Sequence, residues 1–336
     1  MRDPAFWWRK AGVRATLLAP LAAGYGAVAA GRMSKAGTRT GIPVLCVGNF
    51  TLGGAGKTPA TMAIAKMFTE AGERVFCLSR GYGGSHAGPK LVDAHADTAD
   101  QVGDEALLLA RAAPTIIARD RVMGAALARA KGASVIVMDD GLQNGSIAKD
   151  FTLAVVDGRR GIGNGRVFPA GPLRAPLAAQ LARVNALLVV GEESGARDVI
   201  GKVIDLARAC GLPVLHGRLV PDATAVTALK PRRVLAFAGI GDPEKFFATV
   251  AAAGIAIAAK KSFPDHHRYT TEEAAELVMD CEHESLTLLT TEKDHARMSG
   301  DPALAALYAR AQVLPVTMAV EESDELRKLV MAALRR

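Results

Sequence analysis

The sequence of 336 residues predicts an α/β fold: a mostly parallel sheet with helices on both faces. Short apolar runs of strand length alternate with segments of helical period, and glycine-rich turns separate them. Such alternation is typical of a parallel sheet covered by helices. Hydrophobic residues make up 50% of the chain, which excludes intrinsic disorder for its body. The length fits two domains or one large α/β domain.

The predicted strands and helices fall into two groups along the chain. In the first group, strands are expected at Pro43–Val47, Arg74–Leu78, Thr115–Ala118, Ser134–Met138, Thr152–Val156 and Ala186–Val190. Helices are expected at Pro59–Glu70 and Ala106–Ala112, and a Gly/Pro-rich loop at 158–176. A second α/β unit is expected at Arg233–Ala238, Pro243–Ala253 and Leu286–Thr290, with Val214–Lys230 as a linker between the two lobes.

The net charge of +7 is concentrated near the N-terminus. Residues 1–40 contain seven Lys or Arg residues against one acid, Asp3, so the rest of the chain is nearly neutral. A nucleic-acid binder carries its basic surface on the folded body, so we expect no nucleic-acid partner. No obligate protein partner is evident either. The four cysteines are widely spaced, which indicates free thiols in a reducing compartment.

An uncharged run, residues 15–31, lies between Arg14 and Arg32, and aromatic residues 6–8 precede it. The run is short for a transmembrane helix and contains Pro20. Its small residues superficially resemble a signal-peptide cleavage site. Positive charge on both sides and indole rings suited to headgroup depth favour an anchor on an anionic lipid surface. A first helix packed against the domain is the alternative interpretation.

A glycine-rich loop, residues 48–58, follows the first predicted strand and precedes a helix, as a phosphate-binding P-loop does. Such a loop points backbone N–H groups and a helix N-terminus at phosphate. We expect Lys57 to neutralise the β- and γ-phosphates and Thr58 to bind Mg²⁺. Thr51 stands where the usual motif has glycine, so the loop is a variant. The residues expected to hold the nucleotide are Gly53, Gly54, Ala55, Gly56, Lys57 and Thr58.

The apolar strand Ser134–Met138 is followed by Asp139 and Asp140. P-loop enzymes hold Mg²⁺ with a carboxylate at such a strand end. We therefore predict a Mg²⁺ site formed by Thr58, Asp139 and Asp140, and the sequence leaves open which aspartate binds the metal directly. ATP is the expected nucleotide, because residues 291–294 contain the letters of the guanine-specificity motif [NT]-K-x-D in the wrong spacing.

Several motifs together resemble the tetraacyldisaccharide 4′-kinase family, the lipid A 4′-kinases of Gram-negative bacteria. In chain order the matching segments are Gly48–Pro59, Ser79–Gly83, Gly103–Glu105, Met138–Gln143, Gly161–Arg174, Phe263–His266 and Thr290–Asp294. One departure is Ala175, because the family signature usually has Glu after Arg174. A role for an acid at that position is absent here or is supplied elsewhere.

The resemblance implies an ATP- and Mg²⁺-dependent kinase that phosphorylates the 4′-hydroxyl of a lipid A disaccharide 1-phosphate and gives lipid IVA. It implies work at the cytoplasmic face of the inner membrane, as a peripheral or monotopic enzyme on an anionic lipid surface. The expected parts are a membrane-associated segment, 1–32, a P-loop NTPase-like kinase domain, 33–214, and a smaller C-terminal α/β lobe, 215–336.

The same resemblance implies roles for individual residues. Asp104 matches the family's base, although helix N-capping is an equal interpretation of its position. His266 matches the histidine that partners this base, with His267 as its neighbouring alternative. These two groups would lie on different lobes, so lobe closure would assemble the dyad. The candidates for substrate contact are Asn49, Arg80, Glu105, Gln143, Asn164 and Arg174.

The sequence does not choose among Arg119, Arg121, Arg159 and Arg160 as further ligands of the 1-phosphate. Two other classes of protein share part of the pattern. A membrane-localised P-loop ATPase acting as a positioning switch would need the loop and the basic anchor, but not the Asp104–His266 pair. A small-molecule kinase or ligase of the same fold would lack the aromatic, basic N-terminus.

Overall fold

The computed structural model describes residues 4–191 and 197–335, so residues 1–3 of the predicted N-terminal segment lie outside the described residues. Its strands are β1 (Val44–Gly48), β2 (Val75–Ser79), β3 (Lys90–Leu91), β4 (Thr115–Ile117), β5 (Val135–Asp139), β6 (Phe151–Asp157), β7 (Ala186–Val190), β8 (Val214–Pro221), β9 (Arg233–Ala238), β10 (Ala256–Ser262), β11 (Thr287–Thr290), β12 (Gln312–Val313) and β13 (Val316–Val320).

The α-helices cover both faces of the sheets and connect most of the parallel strands. They are α1 (Val13–Leu17), α2 (Ala19–Met33), α3 (Lys57–Glu70), α4 (Ala99–Val102), α5 (Asp104–Ala112), α6 (Arg121–Ala130), α7 (Leu177–Leu181), α8 (Arg197–Ala209), α9 (Ala223–Leu229), α10 (Pro243–Ala252), α11 (Thr271–His283), α12 (Glu292–Met298), α13 (Ala305–Arg310) and α14 (Ser323–Ala333). Short 3₁₀ helices occur at Ala5–Trp8 and Pro302–Leu304.

Nine strands form the sheet of the larger lobe, in the order β13-β8-β7-β6-β1-β5-β2-β4-β3. The central strand β1 is parallel to both β5 and β6, and only the edge pairs β4–β3 and β8–β13 are antiparallel. Strands β1, β5 and β6 are buried along their whole length, because their uninterrupted apolar runs are covered on both faces. The predicted fold class is confirmed. Ligands of such sheets bind at the carboxyl ends of the central strands.

The smaller lobe has its own sheet of four parallel strands, in the order β10-β9-β11-β12. Helix α10 packs on one face of this sheet through Phe247 and Val250, and α11 packs on the other face through Leu277. This lobe therefore has a separate hydrophobic core, as expected of the second α/β unit.

The boundary between the lobes does not lie between residues 214 and 215, as predicted. Strands β9 to β12 form the small sheet, and β8 and β13 on either side of them belong to the large sheet. Residues 214–221, expected to link the lobes, form strand β8 beside β7 in the large sheet. The linker prediction missed this strand because its burial alternates along its length, which gives no continuous apolar run. After the small sheet, β13 returns to pair with β8, and α14 joins the main core through Leu326 and Val330. The small sheet is thus inserted between β8 and β13.

The N-terminal helices pack against the larger lobe, which was the alternative interpretation of this segment. Pro20 lies in the first turn of α2, where its missing N–H is not needed. On one side of α2, Ala22, Gly26 and Met33 are buried. No helix in the described ranges 4–191 and 197–335 is long and apolar enough to cross a membrane.

Trp7 does not lie where the sequence led us to expect an indole at headgroup depth. Its side chain is 5% exposed, and its Nε1 donates to the carbonyl of Pro169 at 3.0 Å. Its ring also makes an edge contact with Phe168, at a centroid distance of 6.0 Å. Because the indole N–H finds a protein acceptor, Trp7 fastens the N-terminus to the loop of residues 161–174.

Candidate active site

The glycine-rich loop joins β1 to α3 at the carboxyl end of the central strand. Gly56 caps α3 with a φ of +91°, a conformation that L side chains rarely adopt, so glycine is required there. Lys57 and Thr58 then occupy the first turn of α3, with both side chains buried. The loop geometry is that of a P-loop, with a helix N-terminus and a cation directed at one place.

The predicted metal ligands include two buried oxygens without partners. The hydroxyl of Thr58 and Oδ2 of Asp139 have no hydrogen-bond partner, whereas Oδ1 of Asp139 accepts from Thr61 at 2.8 Å. Buried polar atoms normally have partners, so two such atoms, one in the first turn of α3 and one at the end of β5, fit a bound cation. Burial, with the charges of Glu105 and Asp140, raises the pKa of Asp139 to about 7. A divalent cation would favour its ionised form.

Among residues 4–191 and 197–335, no group of three or more His, Cys, Asp or Glu side chains is arranged to hold a metal. A P-loop Mg²⁺ site does not require such a group. Mg²⁺ keeps several waters and is held by one or two protein oxygens together with the phosphates of the nucleotide. The donors at Thr58 and Asp139 therefore fit Mg²⁺.

Asp140 has a different environment from Asp139. Its Oδ1 accepts from Nη1 of Arg174 at 2.7 Å and lies 3.8 Å from Nζ of Lys57. Burial acts to raise the pKa of Asp140, but Arg174 and Lys57 hold it well below its usual range. The residue adopts a φ of +51°, a strained conformation for a non-glycine residue that is typical of functional sites. Arg174 also donates from Nε to the carbonyl of Thr51 at 2.9 Å, which ties Asp140 to the P-loop.

Hydrogen bonds among Asn49, Gln143 and Gln180 stabilise the start of the P-loop. Nε2 of Gln143 donates to the carbonyl of Asn49 at 2.8 Å and to Oε1 of Gln180 at 2.7 Å. Nδ2 of Asn49 donates to the carbonyl of Gly53 at 3.2 Å, while its buried Oδ1 has no partner. Gln180 was missed by sequence reasoning, because a single buried glutamine in a short helix carries no recognisable signal.

The structure brings Asp104 and His266 together from the two lobes. Nδ1 of His266 lies 3.3 Å from Oδ2 of Asp104, whose side chain is only 4% exposed. The N-cap of α5 is Gly103, and Asp104 is the first residue of that helix, with Oδ1 accepting from the N–H of Glu105 at 2.9 Å. His267 instead contacts Glu273, at 2.7 Å. His266 is therefore the histidine that faces Asp104.

Two cations of α12 also contact the start of α5. Nη2 of Arg297 donates to Oδ2 of Asp104 at 2.5 Å, and Nζ of Lys293 donates to Oε1 of Glu105 at 2.6 Å. Residues four apart in a helix share one face, so both cations point to α5. Residues 290–294 were considered as a segment that resembles the family and as a failed guanine motif, and neither use predicted this contact. The i, i+4 spacing of the two cations was the available signal.

Opposing effects set the charges of the pair formed by Asp104 and His266. Burial acts to raise the pKa of Asp104, but the hydrogen bond from His266 and the charges of Arg297 and Lys293 lower it far below its usual range. Burial acts to lower the pKa of His266, but its hydrogen bond with Asp104 raises it overall. Asp104 is therefore ionised at neutral pH.

A second contact between the lobes lies beside the P-loop. A Cβ on Gly241 would come within 2.9 Å of the nitrogen of Gly54, so only glycine allows the smaller lobe to approach so closely. Asp242, next in the chain, pairs with Arg159 and with Nη2 of Arg160, the latter at 3.0 Å. Both arginines, considered above as ligands of a 1-phosphate, thus have a carboxylate partner in this structure.

The remaining predicted residues have diverse surroundings. Arg80 follows β2 directly, and its side chain is exposed. Burial of Arg121, together with the positive charge of Arg80, lowers the pKa of Arg121 to about 10. Asn164 donates from Nδ2 to the carbonyl of Ala170 at 2.9 Å, and its Oδ1 accepts from the N–H of Arg166 at 3.0 Å. These bonds stabilise the loop of residues 161–174. Ala175, where the family signature has Glu, is fully buried.

A P-loop with a buried Lys-Thr pair, a strand-end aspartate and an ionised carboxylate that faces the smaller lobe defines a P-loop phosphotransferase. The family model described as LpxK, tetraacyldisaccharide-1-P 4′-kinase, matches residues 14–335. The chain belongs to this family. The family resemblance and the kinase activity predicted from the sequence are thereby confirmed.

Individual relatives and one solved structure agree with this assignment. A tetraacyldisaccharide 4′-kinase of Rhodopseudomonas palustris strain BisB5 is 52% identical over 336 residues, covering 100% of this chain and 98% of the relative. Its counterpart in Afipia carboxidovorans is 50% identical over the same length, with the same coverage. The crystal structure of LpxK from Aquifex aeolicus in complex with ATP has a TM-score of 0.72 and 25% identity, covering 95% of this chain and 99% of that one.

Proposed function

We propose that this kinase transfers the γ-phosphoryl group of ATP to the 4′-hydroxyl of a tetraacyldisaccharide 1-phosphate and gives lipid IVA. The observation that supports this best is the pairing of Asp104 with His266 across the lobes, beside a variant P-loop that retains Lys57 and Thr58. A switch ATPase needs no base for an alcohol, whereas a kinase does.

The nucleotide is held by the P-loop amides and by Lys57, whose ammonium group neutralises phosphate charge. Thr58 and Asp139 would hold Mg²⁺, since both have a buried oxygen without a partner, and Asp140 would contact its water shell. When bound, the ion neutralises charge on the transferring phosphoryl group. Arg174 and Lys57 fix Asp140, so that both aspartates keep distinct roles.

Asp104 is the base that orients the 4′-hydroxyl and receives its proton. Phosphoryl transfer through a loose transition state depends mainly on positioning and charge stabilisation, so a weakly basic carboxylate is sufficient. His266, whose Nδ1 lies 3.3 Å from Oδ2 of Asp104, holds the carboxylate in orientation through their hydrogen bond, and Asp104 passes the proton on to solvent. The side chain of His266 is 30% exposed, so solvent reaches the pair.

We propose that α1 and α2 hold the enzyme on an anionic membrane, at the cytoplasmic face of the inner membrane where the lipid substrate resides. One side of these helices carries Val13, Leu17, Leu21 and Val28, which are 57–76% exposed, and Tyr25 at 44%. The segment that contains these helices, residues 1–40, has seven basic residues against one acid. Apolar area combined with cations is what binds a helix to the surface of an anionic bilayer.

The loop of residues 161–174 connects this proposed membrane surface with the P-loop. At one end, Phe168 contacts the ring of Tyr25 at a centroid distance of 5.3 Å. At the other end, Arg174 contacts the P-loop carbonyl of Thr51. A disaccharide whose acyl chains remain in the bilayer would therefore have a short path to the γ-phosphate.

Transfer of label from [γ-³²P]ATP to a tetraacyldisaccharide 1-phosphate in detergent micelles tests the activity. We expect labelled lipid, with no label in a reaction without the lipid acceptor and none with the Lys57→Met variant. ATP hydrolysis without labelled lipid would instead support the switch ATPase and contradict the proposed kinase reaction.

A further inference from the structure

Asp104 contacts a second cationic side chain besides His266, namely that of Arg297. Nη2 of Arg297 donates to Oδ2 of Asp104 at 2.5 Å, closer than the 3.3 Å from His266 Nδ1 to the same oxygen. The side chains of Arg297 and Asp104 are 7% and 4% exposed. A buried ion pair of this geometry fixes the orientation of both groups.

Arg297 is itself held in place by Asp294, which is fully buried. Nη1 of Arg297 donates to Oδ1 of Asp294 at 2.7 Å. The hydroxyl of Tyr269 and the N–H of Gly239 donate to the same oxygen, each at 3.0 Å. Contacts within the smaller lobe thus fix the orientation of the guanidinium group that contacts Asp104.

The contacts require an arginine rather than any cation. Nη1 of Arg297 donates to Asp294, and Nη2 donates to Asp104. Nη1 also donates to the carbonyls of Gly239 and His267, at 3.2 and 3.3 Å. A planar guanidinium group presents such a set of donors, whereas the ammonium of lysine is a single point of charge. The geometry is therefore specific to the residue.

We propose that Arg297 is a positioning residue of the phosphoryl transfer: it crosses the lobe interface to hold the carboxylate of Asp104 towards the acceptor hydroxyl. The proposal rests on the proposed role of Asp104 as the base. Because Arg297 belongs to the smaller lobe, the carboxylate is oriented only when the lobes are closed. The enzyme thereby couples closure over ATP to the assembly of a fixed, ionised base.

The variant Arg297→Gln removes the charge and keeps much of the volume. We expect kcat to fall about 10²-fold, as misplacement of a reacting group does, with little change in KM for ATP. The groups facing Asp104 are Arg297, His266, Lys293 and Glu105. Burial raises the pKa of Asp104 and the cations lower it, so the loss of Arg297 should raise this pKa. The acidic limb of the kcat profile should therefore move to higher pH. A role limited to holding the lobes together would lower activity equally at every pH.

Two further variants separate positioning from stability. Arg297→Lys keeps a charge but cannot serve both aspartates, so we expect an intermediate kcat; wild-type kcat would overturn the geometric requirement. In the double variant Asp104→Asn/Arg297→Gln, the second change should cost no further activity, because Arg297 acts through Asp104. An additive loss would overturn the proposal. Because Arg297→Lys keeps a positive charge beside the buried carboxylates of Asp104 and Asp294, it also guards against unfolding of the Arg297→Gln variant.

Arg268→Gln is the matched control. Arg268 also crosses the lobe interface and pairs with Asp100 at 3.1 Å, but both side chains are 66% exposed, so we expect wild-type kcat. Failure of the base assignment has a different signature: Asp104→Asn would then retain wild-type kcat. An inactive Asp104→Asn beside a fully active Arg297→Gln would refute only the positioning role.

Discussion

Two of the contacts between the lobes differ in character. The inner contact, formed by Lys293 and Arg297 of α12 with the first turn of α5, is largely buried: Arg297 and Asp104 are 7% and 4% exposed. The outer contact joins Asp242 to Arg159 and Arg160 beside the P-loop, and the side chain of Arg159 is 46% exposed. Water and salt therefore reach the outer contact more readily than the inner one.

This difference indicates two separate tasks. Breaking a buried ion pair by removing one partner costs about 3–5 kcal/mol. The cost is smaller for Asp242, although this carboxylate is only 5% exposed, because the side chains of Arg159 and Arg160 are 46% and 24% exposed. The inner contact can thus fix a catalytic group in one orientation, at the cost of requiring closure. The outer contact can adjust how closely the smaller lobe covers the phosphates without controlling the chemistry. Variants on each side should differ accordingly.

The largest effect is expected at the inner contact, from Asp104→Ala. The change should lower kcat by about 10²–10⁴-fold, since a base contributes that much, while the affinity for ATP stays nearly constant. Steady-state phosphorylation and equilibrium ATP binding would measure the two quantities separately. Near-normal turnover would eliminate Asp104 as the base, and an equal loss of ATP affinity would indicate a collapsed interface.

This contact also marks the limit of what the sequence predicts. The P-loop and Asp139 were predicted because each belongs to a local motif with a known chemistry, whereas the Asp104–His266 pair was implied by the resemblance to the kinase family. The partners of Asp104 and Glu105 on α12 were missed, since they lie about 190 residues further along and only the fold brings them close. Likewise, β8 and β13 carry weak local patterns, and their place in the large sheet depends on each other.

A moderate effect is expected at the outer contact, from Asp242→Asn. The loss should raise KM for ATP by less than about 5-fold and leave kcat within a factor of two, because its arginine partners are partly hydrated. The KM of the wild-type enzyme should also rise with ionic strength, whereas that of the variant should respond less. Titration of ATP at two salt concentrations measures both. A loss in kcat as large as that of Asp104→Ala would abolish the distinction between the contacts.

The smallest effect on the reaction in detergent is expected furthest from both contacts, on the exposed side of α1 and α2. Leu17 and Leu21 are 74% and 65% exposed, so Leu17→Gln/Leu21→Gln removes apolar surface without opening a cavity. Stability and kcat in micelles should stay within experimental error of the wild type, whereas binding to vesicles containing anionic lipid should weaken about 10-fold or more, from the loss of buried apolar area. Met279→Gln, on α11 at 59% exposure, is the control. Unchanged vesicle sedimentation of the double variant would refute the membrane role of these helices, and an equal loss for the control would show that any exposed apolar residue suffices.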